Sequence, residues 1–335
     1  MNSSAALVLA ALAAAAISAS LIVLLRPLLQ RYALARPNAR SSHGIPTPQG
    51  AGIAVIAAAL GIVGISAGIM DLDVQAMLFV ATIFIALVGL ADDIRPMPVV
   101  PRLLLQAMAV GAVILAAPAE LRIVPALPLP IERAMLLLAG LWFVNLVNFM
   151  DGLDLMTVAE VVPVAGTLAM LGWRGDFPLL PAMIAAALGG ALLGFAPFNR
   201  PVAKVFLGDV GSLPIGLVLG WGLLQLAYQH QIIAALLLPL YYLADATLTL
   251  VLRIGRGEPF WVAHRSHFYQ RAIQNGFTVP RVVGEVFALN LALAALAIAS
   301  VHANSIGWRV ALLAIGAMVV ALILYRFSVK KTRSS

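Results

Sequence analysis

IERAMLLLAGLWFVNLVNFMDGLD, residues 131–154, begins as an apolar run and ends in two carboxamides and two carboxylates. The part from Ile131 to Phe149 is long enough to cross about 30 Å of hydrocarbon as a helix. An ionised Asp near a hydrocarbon boundary costs a few kcal/mol unless it is paired or bound to a cation. Asp151 and Asp154 at the end of such a run therefore mark a functional site. Asn145, Asn148 and Asp151 recur every three residues and would share one helix face. Gly152 then allows a tight turn or the close approach of a ligand.

Working outward, ten further apolar runs fall near residues 5–25, 50–69, 74–91, 102–117, 155–172, 179–195, 210–229, 231–250, 284–301 and 306–325. The chain of 335 residues is 62% hydrophobic and 10% charged, with a mean hydropathy of +1.02. An ordinary soluble domain carries about 25% charged residues. The expected fold is thus an all-α integral membrane protein with about eleven spans, ten being the alternative, forming one membrane domain over 1–335. Small residues at Ala16 to Ser20 resemble a signal-peptidase site, but no positive residue precedes the run and apolar sequence continues to Leu25, so it reads as a retained helix.

The basic residues set the expected orientation. Seventeen of the 21 Lys and Arg lie in or border the segments 26–49, 92–101, 196–209, 251–283 and the C-terminal tail. These are expected to be cytoplasmic, with the N-terminus periplasmic, the C-terminus cytoplasmic, and the multi-pass chain in a bacterial inner membrane. The segment 251–283 reads as a long loop carrying a short amphipathic helix. The net charge of +7 follows membrane borders and forms no soluble patch, which fits membrane lipids and an anionic substrate and excludes nucleic acid as a partner. With no cysteine, disulfides and thiolate metal sites are excluded.

The acids sort by side. Asp92-Asp93 end one span, just before Pro96 and Pro98 stop the helix. Their mutual repulsion suits a divalent cation or a transferred proton. Asp209, in Phe206-Leu207-Gly208-Asp209-Val210-Gly211-Ser212, is expected to cap the helix it opens. Lys204 and the glycines beside it suit an anion or a metal-phosphate. His264-Arg265-Ser266-His267-Phe268-Tyr269-Gln270-Arg271 gathers donors that suit a phosphate or diphosphate, after Phe260-Trp261-Val262, which could enter the lipid interface. Pro and Gly make Ser41 to Gly52 a structured turn. Asp245 lies inside a span, where Tyr241 and Thr249 are its expected neighbours; Glu160 reads as structural. Oxygen ligands without cysteine point to Mg2+ or Mn2+, shared with substrate phosphates. A soluble nucleotide diphosphate and a lipid phosphate are the expected pair of substrates, meeting where water meets hydrocarbon.

Together, Asp92-Asp93, Asn145-x-x-Asn148-Phe-Met-Asp151-Gly152-x-Asp154, Phe206-Leu-Gly208-Asp209-x-Gly211-Ser212 and His264-Arg-Ser-His267-x-Tyr-Gln-Arg271 resemble the polyprenyl-phosphate N-acetylhexosamine-1-phosphate transferases, from about residue 40 to 275. The resemblance implies transfer of a sugar 1-phosphate from a UDP-N-acetylhexosamine to undecaprenyl phosphate, with release of UMP. It implies Asp209 as the Mg2+ ligand, with Asp92 and Asp151 as further candidates. Asp92 and Asp93 would lie near the lipid phosphate. Asn145, Asn148, Asp151, Gly152 and Asp154 would surround the nucleotide-sugar, with Phe206 on uracil, Asn199 on the nucleobase and Lys204 beside them. His264, Arg265, His267 and Arg271 would close on the diphosphate. Direct attack by the lipid phosphate is the preferred course, a covalent Asp intermediate the alternative. Two departures stand out: Ile94-Arg95-Pro96 follows the Asp pair, and Leu155 replaces the second Gly usual after Asp154. The His264–His267 loop resembles members that initiate O-antigen or enterobacterial antigen, implying GlcNAc or a 6-deoxy relative such as QuiNAc or FucNAc. The phospho-N-acetylmuramoyl-pentapeptide branch is the alternative within the family, and an ion-coupled transporter is the alternative outside it. A homodimer is compatible with the sequence.

Overall fold

The computed structural model describes residues 3–35, 46–259 and 264–330; Ser41–Ile45 of the Pro/Gly turn and the aromatic Phe260–Val262 fall outside them. Its helices are α1 (Ser3–Tyr32), α2 (Gly52–Met70), α3 (Ala76–Ile94), α4 (Val99–Ala116), α5 (Leu129–Met150), α6 (Met156–Arg174), α7 (Leu179–Phe195), α8 (Asp209–Tyr228), α9 (Ile232–Leu237), α10 (Leu240–Gly255), α11 (Phe268–Gln274), α12 (Val279–Val301) and α13 (Ile306–Ser328). Among the described residues ten of these are long and apolar enough to span a membrane. The chain is an all-α, multi-pass membrane protein. The run at 231–250 is not one continuous helix: it breaks into α9 and α10 around Pro239, which has no N–H to donate and whose ring clashes with the preceding turn.

The helices differ in how much of themselves they hide. In α8, 83% of the apolar window is buried, against 22% in α13, so α8 runs through the centre and α13 along the periphery. Lipid is as apolar as a helix surface, and close association in a membrane needs small residues that let backbones touch. The α1–α7 contact shows this. Gly190 and Gly194, four apart on α7, lie so close to α1 that a Cβ would come within 2.1 Å of the Ala11 carbonyl oxygen and 2.2 Å of that of Ala15.

One end of the bundle carries the features that matter. There the chain leaves α3, α5, α7 and α10 and enters α4, α6, α8 and α12. Two-residue strands β1 (Leu34–Ala35) and β2 (Thr47–Pro48) pair antiparallel beside it. The segment after β2 then joins the entrance to α8: Phe206 N–H donates to the Pro48 carbonyl at 2.7 Å, and Gly50 and Ala51 N–H donate to the Phe206 carbonyl. This zipper fixes the Pro/Gly turn against the loop that presents Asp209. α11 lies within the segment expected to hold a short amphipathic helix, and buries Phe268, Tyr269 and Ala272.

Gly194→Val is expected to pry α1 from α7 and to destabilise the fold by roughly 1–3 kcal/mol, the usual cost of overpacking. Thermal unfolding of the detergent-solubilised protein checks this. An unchanged transition would mean that the two helices are not in backbone contact.

Candidate active site at the ends of α3, α5 and α8

Asp93, in the last turn of α3, reaches across to the first turn of α8. Its Oδ1 accepts the Asp209 N–H at 2.9 Å and its Oδ2 the Val210 N–H at 3.0 Å, while the Gln49 carboxamide also donates to it. Asp93 is therefore the cap of α8, satisfying donors left unpaired at a helix start. Asp209 opens α8 as the sequence suggests, while the plain capping role, the alternative to ligand binding, falls to Asp93. Two glycines make the approach feasible. A Cβ on Gly89 would sit 2.3 Å from the Asp209 carbonyl oxygen, and Gly208 has φ +76°, with a Cβ 2.6 Å from the Asp93 carboxylate.

With its own N–H held by Asp93, the Asp209 side chain is left to face Asp92 and Asn148, both within hydrogen-bonding contact of it. Asp92 is itself fixed by the Met97 N–H and by the Arg102 guanidinium at 2.9 Å. The Asp pair thus divides its work: Asp93 holds backbone, and Asp92 meets Asp209. Asp151 ends α5 and accepts the Thr157 hydroxyl. Burial pushes its carboxyl up to about 6 against the Thr157 hydrogen bond, and the negative charges of Asp93 and Asp154 push the same way.

Several expected ligand contacts are instead made to the protein. Asp154 is buried and accepts the Ala203 N–H at 3.1 Å. Asn199, expected on a nucleobase, accepts the Leu155 N–H at 2.7 Å and donates to the Val205 carbonyl at 3.0 Å, so both ends of its carboxamide are taken. These two residues staple the turn after α5 to the loop before α8. Asn145 donates to Gln106 at 2.7 Å and to the Leu141 carbonyl, an interhelical bond between α5 and α4. Gly152 leaves room for Tyr269, not for a ligand: a Cβ there would lie 2.1 Å from the Tyr269 hydroxyl, which donates to the Phe149 carbonyl at 3.0 Å. Lys204 is exposed and Phe206 half-buried. Leu155 sits at φ +63°, a left-handed conformation that a glycine adopts freely and a leucine does not, which accounts for the usual glycine at this position.

The histidines and arginines stand to one side, on α10, α11 and the loop between them. The His264 and His267 rings are 4.9 Å apart, and His267 stacks on Tyr269 at 5.7 Å and lies 6.4 Å from Phe149 at the end of α5. A cavity of about 180 Å³ opens beside them, lined by Arg253, Arg256, Arg265, Arg271, Ser266 and Gln274 among others. Arg253 and Arg256, which sequence reasoning missed, face Glu258 at 3.3 and 4.0 Å. A signal was present: Asp245, Thr249 and Arg253 recur at four-residue spacing on one face of α10.

The acidic cluster can accommodate a hard cation. Among the described residues no three acidic or imidazole side chains converge closely enough to hold a metal ion unaided. Asp92 and Asp209 nevertheless place two carboxyl groups in contact, which favours a proton or a cation between them, and the Asn148 carboxamide donates to Asp209. One or two carboxylates, with water and phosphate oxygens completing the shell, is the usual protein share of a Mg2+ site.

An acidic pair thus lies where two membrane helices meet, and a separate arginine-lined cavity opens beside the histidine loop. Residues 75–227 match glycosyl transferase family 4. A decaprenyl-phosphate N-acetylglucosaminephosphotransferase from Mycobacterium leprae (strain TN) is 28% identical over 290 residues, covering 75% of this chain and 72% of that protein. Its counterpart from Mycobacterium tuberculosis (strain ATCC 25618 / H37Rv) is 29% identical over 293 residues, covering 75% and 71%. A phospho-N-acetylmuramoyl-pentapeptide-transferase from Ruegeria pomeroyi (strain ATCC 700808 / DSM 15171 / DSS-3) is 29% identical over 265 residues, covering 67% and 71%. The two kinds of relative match about equally well, so the similarity supports the reaction class and leaves the branch open.

The raised Asp151 carboxyl has a measurable consequence. A folded-state pKa above the unfolded value means that folding opposes ionisation, so Asp151 weakens the fold as pH rises from about 4 to about 6 and by a constant amount above. Asp151→Asn, which keeps the Thr157 bond, should match the wild type in thermal stability near pH 4 and exceed it above pH 6, in metal-free buffer. Equal stability at every pH would show that Asp151 ionises freely.

Proposed function

We propose that the chain transfers an N-acetylhexosamine 1-phosphate from a UDP-sugar to undecaprenyl phosphate on the cytoplasmic side of a bacterial inner membrane, releasing UMP. The carrying observation is the contact of Asp92, Asp209 and Asn148 at the edge of the membrane; the four-arginine cavity is a second charged feature of the chain. The first supplies oxygen ligands, the second charge for a diphosphate, and the position gives access to a lipid phosphate.

In this reading Asp209 and Asp92 would hold Mg2+, which when bound neutralises diphosphate charge and polarises the phosphoryl oxygens. Arg265 and Arg271 bind the diphosphate, with Arg253 and Arg256 adding to the positive field. An oxygen of the lipid phosphate attacks the sugar-bearing phosphorus, a new P–O bond forms, and the bond to UMP breaks. Asp93 is occupied by three hydrogen bonds and serves to aim Asp209. Asp151, whose carboxyl is pushed up to about 6, can take a proton near neutrality. GlcNAc is the preferred sugar, since two of the relatives are named for an N-acetylglucosamine phosphate transfer. The product would start a lipid-linked O-antigen or related polysaccharide. The Ruegeria relative supports, as second reading, a muramoyl-pentapeptide donor.

Incubating the purified protein with radiolabelled UDP-GlcNAc, undecaprenyl phosphate and Mg2+ should give a labelled lipid and UMP. Asp209→Asn should lower turnover at least about 100-fold, on the scale of lost electrostatic stabilisation, with folding intact. A panel including UDP-QuiNAc, UDP-FucNAc and UDP-MurNAc-pentapeptide decides the sugar. No lipid product from any of these donors sinks the reading.

A further inference from the structure

Asp245 is fully buried within α10, an expensive place for a carboxylate unless every lone pair is used. Five donors surround it. Tyr241 and Thr249, one turn either side, donate hydroxyls at 3.2 and 3.3 Å. The other three are consecutive residues from beyond the loop: Phe268 N–H at 3.0 Å to Oδ1, Tyr269 N–H at 3.1 Å to Oδ2, and His267 Nδ1 at 3.2 Å from Oδ1. Phe268 and Tyr269 open α11, so Asp245 supplies in trans the cap that no side chain of its own provides.

We propose that Asp245 is a positioning residue of the transferase site, acting through His267. Both of its oxygens already accept backbone N–H groups, so Nδ1 of His267 is the donor in their contact and Nε2 carries the lone pair. A carboxylate fixing one imidazole nitrogen determines the tautomer and ring orientation of the other. Stacking on Tyr269, whose hydroxyl bonds the Phe149 carbonyl, fixes the ring from the side. Nε2 makes no hydrogen bond to any described residue, which leaves its lone pair to accept a proton from an acidic O–H of the substrate phosphate. One buried carboxylate thereby places the histidine and starts the helix that bears Arg271.

The role in turnover rests on the proposed function, so the test has one arm without substrate. In the full-length protein labelled with [15N]histidine and held in nanodiscs, the His267 resonance, assigned by its loss in His267→Gln, should report a protonated Nδ1 and a bare Nε2. The opposite tautomer overturns the proposal. In the second arm Asp245→Asn, which keeps the shape but sets an NH2 against a backbone N–H, should lower kcat on the order of 10–100-fold, with KM for the UDP-sugar within about threefold. In a His267→Gln background the same substitution should change kcat less than about threefold, because residues acting as a unit do not add. Full multiplication of the two losses shows that Asp245 does not act through His267. A wild type without turnover on any donor defeats the proposed function alone, and the tautomer still decides the geometry.

Discussion

The Asp93 cap on α8 is the constraint from which the acidic site follows. A helix that begins at a membrane edge leaves N–H groups with little water to bond, and an unmet one costs free energy comparable to a lost hydrogen bond. A carboxylate from α3 meets two of them. For it to reach, α3 must touch the backbone of α8, hence Gly89; the turn must pass beneath the carboxylate, hence Gly208; and the same turn of α8 meets α2 where Gly52 and Gly211 face each other. Three helices converge because one cap requires it. Asp209, relieved of capping, then projects its carboxyl toward Asp92 and Asn148.

The sequence made the fold legible because long apolar runs have few alternatives in lipid. It also made the acids legible as a group. It could not divide them into those that face a ligand and those that face backbone, because an Asp has the same letter in either setting. Asp154 and Asn199 looked like ligand contacts and in the structure bond the Ala203 and Leu155 N–H groups, whose positions are set by tertiary structure alone. Asn145 followed the ordinary membrane habit of bonding across helices. The break at Pro239 was readable from the residue itself, yet a twenty-residue apolar run outweighed it. Leu155 was noticed only as a departure from a family pattern, whereas its left-handed φ gives the pattern a steric cause.

Glycine enters this molecule mainly through neighbours. Gly152 is a case where the motif suggested a ligand and the structure shows a tyrosine. The Tyr269 hydroxyl occupies the space and bonds the end of α5, so the histidine loop is tied to the same turn that carries Asp151. The acidic and basic halves are thus mechanically joined although their charges are kept apart.

That separation is the least economical feature of the structure. Arginines and aspartates in one molecule could neutralise one another, and a chain selected for stability alone would let them. Here Asp92 has one guanidinium, Arg102, while Asp209 faces another acid. Four arginines line a separate cavity, where Arg253 and Arg256 meet Glu258. Two acids in contact, held on rigid helix ends, are costly until a proton or a cation lies between them. In the proposed function a diphosphate carried with a divalent cation meets both needs: its oxygens suit the arginines, and its metal suits the acids. On that reading the affinity for donor and for metal should each depend on the presence of the other.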